Sequence, residues 1–267
     1  MLNINKLEQV RNAHGTNQSF KPVMTGLLAF CAILLVGCGG GGGAVRSEAA
    51  QNTPEIVDPS VPLVSAGTWV VMGSSTAAGN GATPGNRWTD LVQNSLSGRG
   101  AVFANIAKGG AVTYQGLSAN SPAVPNRPPP DPALNIDQAL SRNPVALLVS
   151  YPTNDIAHGY SADEDVKNIL TIRSTALNRK VPVLVLSTQP RDLTDAQLAQ
   201  LQQIDVQLST AVGACFVNVR GLLAGPDGRI APMYNSGDGI HPNDAGHRLI
   251  ADTVLKTISS KTCIRTN

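Results

Sequence analysis

Five short apolar runs punctuate the chain: Trp69-Val70-Val71-Met72, Val102-Phe103-Ala104-Asn105-Ile106, Val145-Ala146-Leu147-Leu148-Val149, Val183-Leu184-Val185-Leu186 and Phe216-Val217-Asn218-Val219. Nearly continuous apolar runs of this length suit strands covered on both faces. Helical spacing lies between and after them. Trp88, Leu91, Val92 and Leu96 repeat at i, i+3, i+4, i+8, which predicts an amphipathic helix. Ser161-Ala162-Asp163-Glu164 and Thr194-Asp195-Ala196-Gln197 are capping-box starts, in which the hydroxyl and the N3 side chain satisfy backbone N–H groups reciprocally. The first precedes Val166, Ile169, Leu170 and Leu177, and the second Leu198, Leu201, Ile204, Leu208 and Val212. A last helix carries Leu249, Ile250, Val254 and Leu255. Strands alternating with helices predict an α/β domain: a five-stranded parallel sheet between two helical layers, over residues 67–267.

Two segments fall outside this rhythm. Residues 115–133 contain six prolines, among them Pro128-Pro129-Pro130, and read as a long, locally polyproline-like loop. It is either a surface excursion, the reading preferred, or a wall beside the active site. The N-terminus is the other. Polar residues 1–21 carry Lys6, Arg11 and Lys21, and then about fourteen uncharged residues run from Val23 to Val36. At about 1.5 Å rise per residue that run is short for a hydrocarbon core of about 30 Å. It reads as the apolar part of a signal peptide over residues 1–37.

The run ends in Leu35-Val36-Gly37-Cys38, which resembles a bacterial lipobox. The resemblance implies that Cys38 is acylated and becomes the new N-terminus. The alternatives are an uncleaved anchor or an ordinary signal peptide. Gly39 to Gly43 follow as a flexible tether, and 38–66 is expected to be linker. The implied location is the cell envelope, lipid-anchored. Gly39 stands where an Asp is associated with inner-membrane retention, so the outer membrane, facing periplasm or exterior, is preferred.

Charge and cysteine count refine the picture. Lys6, Arg11, Lys21 and Glu8 all precede Cys38, so the 20 basic and 18 acidic residues fall to 17 of each beyond it. No basic stripe suggests a nucleic-acid partner. Of four cysteines, Cys31 leaves with the leader and Cys38 takes lipid. Cys215 and Cys263 then remain as a candidate disulfide outside the cytoplasm, the alternative being two unrelated buried thiols. No His/Cys/Asp/Glu cluster has metal-ligand spacing, so neither metal nor cofactor is expected.

In an open parallel sheet the ligand lies outside the C-terminal ends of the strands. The loops there carry Gly73-Ser74-Ser75, Lys108-Gly109-Gly110, Pro152-Thr153-Asn154-Asp155, Gln189-Pro190-Arg191 and Gly237-Asp238-Gly239-Ile240-His241-Pro242. A serine hydroxyl needs a base to become nucleophilic. Imidazole titrates near neutrality and can exchange that proton, and a carboxylate on its other nitrogen fixes the tautomer. Gly237 and Gly239 make a turn that brings Asp238 to His241 easy, and Pro242 disfavours helical geometry at His241.

These motifs, in this order over about residues 66–262, resemble the SGNH (GDSL-like) hydrolases, named for a Ser, Gly, Asn and His. The four map onto Ser75, Gly110, Asn154 and His241, and the family's Asp onto Asp238. The resemblance implies a flavodoxin-like fold and an esterase in which Ser75, His241 and Asp238 form the triad. The N–H groups of Ser75 and Gly110 and the amide of Asn154 then form the oxyanion hole. Two positions depart from the family pattern. Ser74 replaces the Asp of Gly-Asp-Ser, and Pro152 replaces a Gly before Xaa-Asn-Asp, so the loop carrying Asn154 can enter along another path. Asp155 reads as structural, and His158 and His247 as surface or capping residues. Gln189 and Arg191 are expected on the sugar side of the pocket.

The leading expectation is hydrolysis of a short acyl, above all acetyl, oxygen ester on a polysaccharide of the envelope or environment. A lysophospholipase or thioesterase for longer chains is the second reading, and a non-catalytic envelope-binding lipoprotein the third. An α/β-hydrolase is disfavoured because position 77 of its Gly-x-Ser-x-Gly elbow is Ala here.

Overall fold

The computed structural model describes residues 58–266. The leader, Cys38 and the glycine tether lie outside the described residues. Among the described residues seven strands appear: β1 Leu63–Val64, β2 Gly67–Gly73, β3 Ala101–Asn105, β4 Ala146–Ser150, β5 Val183–Leu186, β6 Phe216–Val217 and β7 Arg265–Thr266. The helices are α1 Ser75–Ala78, α2 Trp88–Leu96, α3 Thr113–Gly116, α4 Ile136–Leu140, α5 Asn154–Ala157, α6 Ala162–Asn178, α7 Asp195–Val212, α8 Arg220–Leu223 and α9 Asp244–Ser259.

Five strands form one parallel sheet in the order β3-β2-β4-β5-β6. Counted among themselves, that is second-first-third-fourth-fifth, the flavodoxin-like order. Alternation along each strand divides the apolar residues between two layers. Val70, Met72, Leu147, Val149, Val183 and Val185 enter one core with α3, α4, α6 and α7. Trp69, Val71, Ala146, Leu148, Leu184 and Leu186 enter the other with α2 and α9. The three-layer α/β/α architecture expected from the pattern is present.

The capping boxes act where the sequence placed them. Ser161 Oγ accepts from Glu164 N–H and starts α6, and Thr194 Oγ1 accepts from Gln197 N–H and starts α7. Three expectations change. Strand β3 is an edge strand with Val102 62% exposed, so its apolar run is not covered on both faces. The run at 216–219 gives only a two-residue strand, because Val219 already caps α8. Part of the expected linker is structured: Val61 and Val64 are buried, and β1 pairs in parallel with β7.

Cys215 and Cys263 form a disulfide, with Cα atoms 4.7 Å apart. It fastens the C-terminal tail to the start of β6. The Pro-rich stretch is pinned at several points, among them Ser118 and Ala119, which both donate to Asp137 Oδ2 at 2.9 and 2.7 Å. Arg127 donates to both carboxylate oxygens of Glu164 at 2.8 and 3.0 Å and lies 3.9 Å from the Tyr160 ring centroid. Asp131 meets Lys108, next to Gly109 and Gly110, at 3.6 Å.

Candidate active site

Strand order decides where a site forms. Strands β2 and β4 are neighbours whose connections leave in opposite directions across the sheet, which opens a crevice beyond their C-terminal ends. Ser75 follows β2 and Asn154 follows β4. The two strands approach closely there, since a Cβ on Gly73 would stand 2.0 Å from Ser150 O. Only glycine permits that approach one residue before the Ser74 cap.

Ser75, the first residue of α1, is nearly buried. His241 Nε2 lies 2.8 Å from Ser75 Oγ, and its Nδ1 lies 2.5 Å from Asp238 Oδ2. The other carboxylate oxygen, Oδ1, accepts from the N–H groups of Ile240 and His241, each at 2.8 Å, and from Ser236 Oγ at 3.1 Å. Partial burial pushes the Asp238 carboxyl up. The hydrogen bonds from the His241 backbone and ring and from Ile240 outweigh it and hold the carboxyl below its ordinary range. It therefore stays ionised beside the imidazole. The turn that permits this has Gly237 and Gly239 at φ 106° and 71°, a region costly for other residues.

A second brace joins the nucleophile to this turn. Gln189 is only 2% exposed. Its Oε1 accepts from Thr76 Oγ1 and its Nε2 donates to Ile240 O, each at 2.8 Å. This corrects the expectation that Gln189 lines the sugar side of the pocket. Its amide is engaged at both ends within the protein, so it holds the serine loop against the histidine loop.

Asn154 is 9% exposed and opens α5. Its Nδ2 donates to Ala111 O at 2.9 Å, which leaves its second amide hydrogen uncommitted. Its Oδ1 accepts from Arg191 Nη1 at 3.2 Å, and the same nitrogen lies 3.3 Å from Thr153 Oγ1. Pro152 is buried and does not prevent Asn154 from reaching this place. Asp155 is structural, accepting from the Thr113 hydroxyl and N–H at 2.5 and 3.0 Å.

Gly110 has φ 80° and an exposed backbone in the turn after β3. Among the described residues, no backbone carbonyl accepts from the N–H of Ser75 or of Gly110. Gly109, which sequence reasoning passed over, also packs against the nucleophile. A Cβ there would come within 3.9 Å of Ser75 Cβ and 3.7 Å of Asn80 Nδ2.

The other histidines divide. His158 ends α5 and its Nδ1 lies 2.7 Å from Asn154 O, a capping role as expected. His247 is fully buried, and of the surface and capping alternatives it takes the second, at the first turn of α2. Its Nδ1 accepts from Trp88 N–H at 3.2 Å and its Nε2 donates to Asn80 O at 3.0 Å. Those contacts require a neutral ring protonated on Nε2. Among the described residues no group of three His, Cys, Asp or Glu side chains is placed to hold a metal ion.

A hydroxyl, an imidazole and a carboxylate in series can move a proton off Ser75 as it attacks a carbonyl. Free N–H groups beside the serine can receive the negative charge that then forms. Comparison with known proteins follows the same line. The model of the GDSL-like Lipase/Acylhydrolase family matches residues 71–249. A member of the lipolytic G-D-S-L family from Veillonella parvula superposes with TM-score 0.56 at 18% identity, covering 72% of this chain and 98% of that one. The psychrotrophic esterase EstA from Pseudoalteromonas sp. gives 0.51 at 16%, over 73% and 97%. The acetyl xylan esterase AlAXEase gives 0.54 at 17%, over 72% and 99%. At these identities the likeness is one of fold. A search of curated protein sequences finds no match.

Proposed function

This chain belongs to the GDSL-like lipase/acylhydrolase family and is an ester-hydrolysing serine hydrolase, and from that premise we propose that it removes short acyl groups, acetyl foremost, from hydroxyls of a carbohydrate. The observation that carries the chemistry is the continuous hydrogen-bonded series Asp238–His241–Ser75.

Ser75 Oγ attacks the ester carbonyl while His241 Nε2 takes its proton. Asp238, kept ionised, holds Nδ1–H and stabilises the imidazolium that forms. The carbonyl oxygen becomes an oxyanion facing the N–H groups of Ser75 and Gly110 and the free amide hydrogen of Asn154. One such donor is typically worth about 2.7–4 kcal/mol in the transition state. Collapse expels the alcohol with the proton from His241. A water molecule, activated by the same imidazole, then attacks the acyl-serine and releases the acid.

Two features support the short acyl group and polar alcohol. The side chains that the loops after β2, β4 and β5 bring to this end of the sheet are polar: Asn80, whose N–H donates to Ser75 O, and the hydrogen-bonded group Thr153, Asn154 and Arg191. One similarly folded protein acts on acetylated xylan. The test compares the wild type with Ser75→Ala on p-nitrophenyl esters from acetyl to palmitoyl, followed by acetylated polysaccharides. Serine-dependent cleavage that favours acetate supports this reading. Preference for long chains replaces it with a lipid or thioester substrate.

The sequence before the described residues supports a location. Leu35-Val36-Gly37-Cys38 after an apolar run favours an envelope lipoprotein anchored through Cys38, in the outer membrane. Incorporation of a radiolabelled fatty acid that disappears in Cys38→Ala tests this, and equal labelling of both proteins refutes it.

A further inference from the structure

We propose that Arg191 is a positioning residue for Asn154, setting the direction and the donor strength of the amide that faces the oxyanion. The proposal rests on the esterase reading and adds a residue to it.

The network itself assigns the carboxamide. Guanidinium only donates and a backbone carbonyl only accepts. The Asn154 atom 3.2 Å from Arg191 Nη1 is therefore the oxygen, and the atom 2.9 Å from Ala111 O is the nitrogen. With both flanks fixed, the amide cannot flip, and its second N–H is held in one direction. Without Arg191 only the Ala111 contact would orient the group.

Charge adds to geometry. A cationic donor on an amide oxygen draws electron density from the nitrogen and strengthens its N–H as a donor. The guanidinium is half-buried, and burial acts to lower its pKa. Its Nε is buried without a protein partner. Among the described residues no carboxylate pairs with it within 4.0 Å. A buried N–H without a partner disfavours the fold, and the charge of Asp238, acting from beyond ion-pair distance, offsets burial only in part. The contacts the side chain does make are with Asn154 and its neighbour Thr153. An arginine held this way serves the residue it touches rather than a structural salt bridge.

The test is a double-mutant cycle on p-nitrophenyl acetate with the full chain: wild type, Arg191→Ala, Asn154→Ala and the pair, with Arg191→Lys beside them. Arg191→Ala lowers kcat about 10-fold with KM within about twofold, and Arg191→Lys recovers part of the loss. Added to Asn154→Ala, Arg191→Ala costs nothing further. Losses that multiply in the pair overturn the proposal. So does a loss confined to KM, above all for esters carrying a carboxylate, which would make Arg191 a binding site for an acidic substrate group. A second readout needs no turnover. The Asn154 side-chain 15N–1H resonances, identified by their disappearance in Asn154→Ala, shift in Arg191→Ala. If they stay in place the proposal fails, whatever the kinetics. If they shift but no ester is cleaved by Ser75, the esterase reading is what fails.

Discussion

Thr76 Oγ1 donates to Gln189 Oε1 at 2.8 Å, joining residues 113 positions apart in the chain. Through its other end, Gln189 Nε2 to Ile240 O, this contact sets the spacing between the nucleophile's helix and the histidine's loop. Replacing Gln189 with Leu leaves the buried Thr76 hydroxyl unmet, at about 1–3 kcal/mol, and frees the partly buried Ile240 carbonyl. The expected outcome is a lower Tm and a kcat reduced about 10-fold at temperatures where the variant is folded, with KM little changed. Thermal unfolding and steady-state kinetics check it. A variant with the wild-type kcat would show that the brace does not set the serine–histidine distance.

His247 gives the fold a dependence on acid. Burial lowers its pKa, and its Nδ1 must stay unprotonated to accept from Trp88 N–H. A histidine whose folded pKa lies below the unfolded value of about 6.5 stabilises the fold above that pH. Its contribution is lost as pH falls through the depressed folded value, because the unfolded chain binds the proton more readily. His247→Asn should therefore destabilise the fold by about 1–3 kcal/mol at pH 7.5, with the difference from wild type shrinking at pH 5. Urea unfolding at both pH values measures this, and a difference independent of pH would contradict it.

What the sequence revealed and what it hid follow from the range of each interaction. Ser161 with Glu164 and Thr194 with Gln197 act over three residues, so α6 and α7 were legible at their first turns. Ser75, Asp238 and His241 were legible because each stands in a loop after an apolar run or before a periodic helix. Gln189 was misread because its partners, Thr76 and the carbonyl of Ile240, are remote in sequence and one is backbone. The edge position of β3 was hidden because an apolar run does not state its place in the sheet order. Strands β1 and β7, two residues each, are too short to show any period. His247 did leave a signal, since it shares the i, i+3, i+4, i+7 stripe with Ile250, Ala251 and Val254 that α9 buries.

The Cys215–Cys263 bond closes a loop with a sequence separation of 48. Restricting the unfolded chain over such a loop is worth about 2–4 kcal/mol in the chain-entropy account. Cys215→Ser with Cys263→Ser, or the wild type in excess reductant, should unfold at a lower urea concentration and still show serine-dependent turnover at 25 °C. An unchanged urea midpoint would mean that the bond constrains little beyond what packing of Ile264 and the β1–β7 pairing already hold.

Asp165 should act in the opposite sense to His247. It lies on α6, 1% exposed, and its Oδ1 has no hydrogen-bond partner. Burial first, and then the carboxylates of Asp155 and Asp205, raise its pKa well above the ordinary value. With the folded pKa above the unfolded one, the native protein holds a proton that the unfolded chain releases. Stability therefore falls as pH rises above the unfolded carboxylate range. Each pKa unit of such a shift is worth about 1.4 kcal/mol. Asp165→Asn keeps the shape and removes the ionisation. The variant should be more stable than wild type at pH 8, by about 2–4 °C in Tm for each kcal/mol recovered, and should converge on wild type near pH 4. If the variant were instead less stable, by a margin that grew from pH 4 to pH 8, Asp165 would be making an interaction as an anion, and its burial would not be the source of strain argued here.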